Sequence, residues 1–348
     1  MNSDPRQELI EVLSHYDLGE LAEFEKNERG FVNTSFAIQT LADGVTTKRF
    51  FRKYKVGVKE EELLFEHSVV ERLVACGSPP VARIARTRQG RTFVVRTEGE
   101  NPVFYAIFDY LPGDDRYTWV APHCTRPELV SAAQVLAQFH SAVSDLGPAG
   151  QRAEARIADL LPQLSRYVAE CLSRSKGAVF DQYLCEHQAL IQESIAHMLD
   201  VLNEPEVREL PQLVVHCDYH PGNLKFDGEQ ISGLFDFDWS KIDTRCFDVG
   251  LALWYFTTSW EGEHDGELTI DALETFLAAY QEALSSLPGI GPLSGIELKY
   301  LRDMIAAGNL YILNWTIQDY YHKDVDPQEY LVYLRHGVNF IKRYTQLP

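Results

Sequence analysis

His216-Cys217-Asp218-Tyr219-His220-Pro221-Gly222-Asn223 is the stretch from which the rest of this 348-residue chain can be read. The apolar run Leu213-Val214-Val215 leads into it and reads as a strand. Leu224-Lys225-Phe226, a turn at Asp227-Gly228 and a second strand, Ile231 to Phe235, follow it. That strand delivers Asp236-Phe237-Asp238-Trp239. One hairpin thus presents three polar groups, Asp218 and Asn223 from a shared loop and Asp236 from the end of the returning strand.

Phosphoryl transfer to an alcohol needs such a set. A carboxylate must orient the hydroxyl and accept its proton, and oxygen ligands must hold Mg²⁺ against the triphosphate. Asp218 suits the base. Asn223, being neutral, can bind Mg²⁺ without repelling phosphates, and Asp236 can bind it with full charge. Pro221 and Gly222 would turn Asn223 back toward Asp218.

Upstream, Phe31 to Leu41 and Thr46 to Tyr54 read as strands joined by a turn at Ala42-Asp43-Gly44. A helix is expected over about 59–74, ended by Gly77-Ser78-Pro79-Pro80. Two short strands are expected to flank Gln89-Gly90, and the apolar run Phe104 to Leu111 closes the β-rich part. From Glu128 the pattern turns helical, with longer helices at about 155–174 and 180–202, a β interlude at 212–238 and helices again from Phe247. The expected fold is α+β and bilobal: a small antiparallel-sheet lobe over residues 1–110 that binds nucleotide, and a larger, mostly helical catalytic and substrate lobe over 111–348.

The chain has a formal net charge of -19, which disfavours nucleic acid and anionic membranes as partners. Residues 1–110 carry 15 Lys and Arg against 17 Asp and Glu, and the remainder carries 17 against 34. That acidic excess suits either a cationic substrate or a solvated surface. The six cysteines form no C-x-x-C pair, Met1 to Ile10 lacks the apolar core of a signal peptide, and no apolar run approaches a membrane span. A reducing, cytoplasmic setting is expected.

H-x-D-x-x-x-x-N followed by a strand ending in Asp resembles the protein-kinase arrangement. The fuller pattern is H-x-D-x-H-P-G-N-L, then G-L-F-D-F-D-W, then Phe247-Asp248-Val249-Gly250-Leu251-Ala252-Leu253. It resembles the aminoglycoside phosphotransferase and choline/homoserine kinase-like family. The resemblance implies a protein-kinase-like fold and an ATP- and Mg²⁺-dependent kinase. Its acceptor would be a small-molecule hydroxyl, cationic or zwitterionic in view of the acidic second part. It further implies that Gly30, Asn33, Thr34 and Ser35 cover the phosphates. Arg52 would replace the usual phosphate-binding lysine, paired with Glu66, and Asp109, Tyr110 and Leu111 would form the adenine hinge. On a strand Arg52 and Lys53 cannot both face the cleft. His216 and Asp248 would brace the catalytic loop, and His140 reads as structural. His220, Asp238 and Asp319 are candidates on the substrate side, Asp238 also as a second metal ligand or a plain polar residue. Trp254, Tyr255, Phe256, Trp260, Trp315, Tyr320 and Tyr321 read mostly as core at helical spacing, and a few of them as an aromatic wall that would suit an amine. Three alternatives stand beside this reading: a metal-dependent hydrolase using His216, Asp218 and His220, a serine/threonine protein kinase of the same fold, and an inactive scaffold.

Overall fold

A computed structural model describes residues 4–27, 33–99 and 101–344, the side chains of Cys171 and Leu172 excepted. The chain opens with α1 (Pro5–Leu13), β1 (Glu20–Asn27), β2 (Thr34–Ala42), β3 (Val45–Lys53), α2 (Glu60–Cys76), β4 (Val94–Glu98) and β5 (Asn101–Asp109). The five strands form one antiparallel sheet in the order β1-β2-β3-β5-β4. Asp43 and Gly44 both have positive φ, the requirement of a two-residue hairpin turn whose twist matches its strands.

Side-chain alternation splits the sheet into two faces. Phe36, Ile38, Phe51, Tyr105 and Ile107 pack against Leu9, Val12 and Leu13 of α1. Tyr54, Phe104, Ala106 and Phe108 join the main core with Leu63, Val70 and Leu73 of α2. Lys53 shares the α1 face with Phe51 and pairs there with Glu8 at 2.8 Å and Glu98 at 2.6 Å. Arg52 is thereby directed to the opposite face, under α2.

The rest is mostly helical: α3 (Arg126–Val143), α4 (Ile157–Ala169), α5 (Cys171–Arg174), α6 (Val179–Glu186), α7 (Gln188–Asn203), α8 (Pro205–Arg208), α9 (Arg245–Thr257), α10 (Ile270–Leu284), α11 (Gly295–His322) and α12 (Pro327–Tyr344). Between α8 and α9 lie two small antiparallel pairs. β6 (Gln212–Val215) pairs with β9 (Lys241–Thr244), and β7 (Leu224–Asp227) pairs with β8 (Gln230–Leu234). The architecture is α+β and bilobal, as the sequence reading expected. Among the described residues no helix is long and apolar enough to cross a membrane.

Three local expectations are corrected. α1 and β1 were not read from the sequence. Among the described residues no strand lies between α2 and Gln89-Gly90: after Pro79 and Pro80 the chain makes single bridges, Val81 to Leu234 and Ile84 to Phe108. The helix expected over 180–202 breaks at His187, which leaves helical geometry at φ -105 and ψ 8.

α9 and α11 cross closely in the helical lobe. A Cβ on Gly250 would lie 2.5 Å from the Met304 carbonyl carbon. Gly250→Ala is therefore expected to destabilise the protein by about 1–3 kcal/mol, since backbone must yield to the added methyl. Urea denaturation checks this, and an unchanged midpoint would contradict the close-packed crossing.

Candidate active site

The loop between β6 and β7 carries Asp218 and Asn223, and its shape is set from beneath by α9. Thr244 caps that helix by accepting the Phe247 N–H at 3.3 Å. Asp248, in the first turn, accepts the backbone N–H groups of His216 at 3.0 Å and Cys217 at 2.8 Å. Its Oδ2 also lies 3.0 Å from Nε2 of buried His140, whose Nδ1 meets the Tyr280 hydroxyl at 2.7 Å. Burial works against the Asp248 charge, but His140 and the His216 N–H hold its carboxyl below the usual range. Cys217 sits at φ +61, a left-handed conformation rare for a non-glycine residue, and this turn sends Asp218 toward the cleft. His216 is fully buried, and burial lowers its pKa, so it stays neutral; its Nδ1 accepts the Asp218 N–H at 3.3 Å.

Asp218 and Asn223 meet as the spacing required. The Asn223 amide donates to Asp218 Oδ2 at 2.8 Å and to the Asp218 carbonyl at 2.9 Å. The Tyr255 hydroxyl donates to Asp218 Oδ1 at 3.0 Å, and His220 Nε2 lies 3.5 Å from Oδ2. Burial alone would raise the Asp218 pKa. His220, His216 and Tyr255 outweigh it and hold the carboxyl below its ordinary value.

Asp236 follows β8 with φ +65. Its side chain is 37% exposed, yet Oδ1 is buried with no hydrogen-bond partner. Burial and the neighbouring Asp238 push its pKa up to about 7, against the pull of Arg52. Arg52 lies 3.2 Å from Glu66, 2.9 Å from Asp238 and 3.8 Å from Asp236. Burial and Asp238 likewise push Glu66 up to about 8. Burial opposes the Arg52 charge, but Asp238, Asp236 and Glu66 together raise its pKa well above the usual value. One guanidinium thus serves three carboxylates.

Asp218, Asn223, Tyr255, Asp236, Asp238, Arg52 and Glu66 line one cleft of about 1100 Å³. Asn33, Ser35, Asp109, Tyr110, Leu111, His220 and Asp319 line it too. Thr34, one place from Ser35 on β2, is exposed and is not part of the lining. Gly30 lies outside the described residues. Asp238, a candidate for the substrate side, lines the cleft too, where it pairs with Arg52 and accepts from Asn33 Nδ2. Among the described residues no three His, Cys, Asp or Glu side chains, His216, Asp218 and His220 included, converge as a metal-holding set.

The sequence reading missed the Tyr255 bond to Asp218. Its signal was present: Tyr255 lies seven residues after Asp248, two helical turns along one face, so both reach the same loop. Trp119 was missed as well. It packs against Tyr333 at 4.7 Å, Trp260 at 5.5 Å, Trp315 at 5.9 Å and Tyr255 at 6.3 Å between ring centroids. It comes from a segment without regular structure, where no periodicity marks it.

The model of the phosphotransferase enzyme family (APH) matches residues 23–294 of this chain. The chain belongs to that family. As a member of the phosphotransferase enzyme family it is a kinase, and its curated relatives are similar along nearly their whole length. A homoserine kinase of Parvibaculum lavamentivorans is 27% identical over 345 residues, covering 95% of this chain and 93% of that one. A homoserine kinase of Afipia carboxidovorans is 28% identical, covering 97% and 94%. Among solved structures, a microcompartment-associated aminopropanol kinase superposes with a TM-score of 0.70 at 15% identity, covering 98% of this chain and 97% of that one. An amicoumacin kinase in complex with AMP-PNP and Ca²⁺ has a TM-score of 0.70 at 12% identity, covering 99% and 98%. These two likenesses establish the protein-kinase-like fold.

Removing the Asp248 carboxylate leaves two buried N–H groups and His140 without their acceptor. Asp248→Ala is expected to cost about 2–4 kcal/mol, read from urea denaturation. A variant as stable as the parent would contradict its role as the support of the loop.

Proposed function

We propose that this protein transfers the γ-phosphoryl group of ATP to a hydroxyl of a small, amine-bearing molecule. An amino alcohol, a homoserine-like compound or an amino sugar fits that description. The observation that carries this reading is the meeting of Asp218, Asn223, Asp236 and Arg52 in one cleft that also holds an aromatic and acidic wall. Residues 1–110 serve as the nucleotide lobe in this reading, and residues 111–348 hold the catalytic loop and the acceptor.

Asp218 is the base. It is ionised, and the Asn223 amide and the Tyr255 hydroxyl fix its orientation, so it can align the acceptor hydroxyl and take its proton. Arg52 is the cation for the ATP phosphates, held from behind by Glu66. Asp109, Tyr110 and Leu111 stand where the adenine edge would meet backbone. Asn33 and Ser35 lie beside the phosphate path.

The residues present fit a divalent cation. Asp236 offers a buried oxygen that accepts no hydrogen bond, with Arg52 3.8 Å away. Asn223 has its N–H committed to Asp218, which leaves its carbonyl oxygen as the end to offer. Asp236 and Asn223 would therefore hold Mg²⁺, which, when bound, neutralises charge on the phosphates. Asp238 adds negative charge next to them, and Arg52 alone does not balance the set.

At the other end of the cleft Trp315 stacks on Tyr330 at 5.7 Å, and Tyr333 packs 5.4 Å from Tyr330. Asp319 lies beside them, 3.4 Å from the Tyr330 hydroxyl and 2.7 Å from Lys323. Aromatic faces next to a carboxylate attract an ammonium group. The homoserine kinases and the aminopropanol kinase named above support an acceptor that carries both an amine and a hydroxyl.

The test is a panel of amino alcohols, homoserine and amino sugars with ATP and Mg²⁺, read as ADP release. Asp218→Ala and Asp236→Ala are expected to fold normally and to lose about a thousandfold in kcat. Trp315→Ala is expected to raise the acceptor KM by about tenfold while the ATP KM stays put. Turnover at the parental rate in Asp218→Ala would sink the assignment.

A further inference from the structure

We propose that residues 149–157 form a brace that fixes the position of α2, and through it the Arg52–Glu66 pair, making Gly150 a positioning residue for nucleotide binding. The segment leaves the helical lobe after α3, touches the first turns of α2 and returns to the helical lobe at α4. It grips α2 through three hydrogen bonds, one of them backbone to backbone. Ala149 N–H donates to Ser68 Oγ at 3.1 Å, and Gln151 N–H donates to the Glu61 carbonyl at 3.2 Å. The Arg152 guanidinium reaches the Glu62 carbonyl at 3.5 Å.

Gly150 permits this approach. It has φ +76, and a Cβ there would lie 2.1 Å from the Glu61 carbonyl oxygen. No flexible side-chain end is available to give way, so any larger residue must push the brace and α2 apart.

The return end is fastened on buried groups. Lys241 Nζ donates to the Ala155 carbonyl at 2.6 Å, and Ile157 N–H donates to Asp243 at 2.8 Å. Both side chains belong to β9, which starts three residues after Asp238, and both are 2% exposed. The brace therefore links the helix that carries Glu66 to the strand that follows the acidic turn.

Geometry gives the link its consequence. Glu61 and Glu62 precede Glu66 by about one turn. Past Glu66, Arg72 donates to the Ala142 carbonyl at the end of α3 at 2.7 Å. α2 is thus held to the helical lobe on both sides of Glu66. A helix held at one point can pivot, whereas one held at two cannot. With the brace loosened, the first turns of α2 lose their hydrogen-bonded hold on the helical lobe while the core-packed end near Arg72 keeps its own, and Glu66 then shifts from the guanidinium it positions.

This inference rests on reading Arg52 as the phosphate cation, and the experiment separates the two. AMP-PNP with MgCl₂ is titrated calorimetrically into the full chain as the parent, Arg52→Met, Gly150→Ala and Ser68→Ala. Gly150→Ala is expected to weaken AMP-PNP binding by about tenfold, and Ser68→Ala, which removes one contact, by about two- to threefold. The acceptor KM is expected to stay within about twofold of the parent. A purely structural role would instead lower the binding stoichiometry and leave Kd unchanged. Arg52→Met weak with both brace variants at the parental Kd would overturn the brace alone. Arg52→Met at the parental Kd would remove the phosphate reading, and the brace with it. Should Gly150→Ala fail to fold, Ser68→Ala decides by the same criterion.

Discussion

A single guanidinium facing three carboxylates is the interaction on which the rest of this structure depends. Arg52 lies within 4 Å of Glu66, Asp236 and Asp238. Held close in a partly desolvated cleft, such a group carries more negative charge than one cation offsets, which is why burial and mutual repulsion push Asp236 and Glu66 upward. A site with that imbalance is prepared for added positive charge, and a kinase brings it as the metal that accompanies the nucleotide. Much of the fold can be understood as the means of keeping these groups in place. α1 claims Lys53 and so directs Arg52 inward. α9 holds the catalytic loop through Asp248. The segment after α3 holds α2.

Asp218 stands apart from that cluster in its electrostatics. Tyr255 and Asn223 donate to it and His220 stands beside it, so it keeps its charge while Asp236 and Glu66 are pushed toward neutrality. Environments that push neighbouring carboxyls in opposite directions are how one cleft assigns different roles to the same functional group. In the proposed function the separation divides a proton acceptor from a cation-holding end.

Much of this was legible in the sequence, for physical reasons. Asp218, Asn223 and Asp236 belong to one short hairpin, so their meeting needs only local structure. Strand alternation placed Arg52 and Lys53 on opposite faces, and the pairing of Lys53 with Glu8 and Glu98 shows that Arg52 is the one in the cleft. What the sequence hid depends on distant elements converging. Asn33 reaches Asp238 across 205 positions, and Asp238 in turn joins the Arg52 cluster. The 149–157 segment has no periodicity at all, and only its close approach to α2 shows what Gly150 does. β1 escaped notice because a register shift between Leu21 and Glu23 breaks its alternation. α1 was readable but unread: Asp4 caps it and Pro5 opens it, a start signal that stands outside the apolar patterns followed elsewhere.

The most direct test of the central claim is anomalous diffraction from crystals grown with Mn²⁺ and AMP-PNP. Mn²⁺ is expected at coordinating distance from the Asp236 carboxylate and the Asn223 amide oxygen, with the Arg52 guanidinium on a phosphate oxygen. An Mn²⁺ peak remote from both side chains, with Arg52 still turned only to its three carboxylates, would contradict the account.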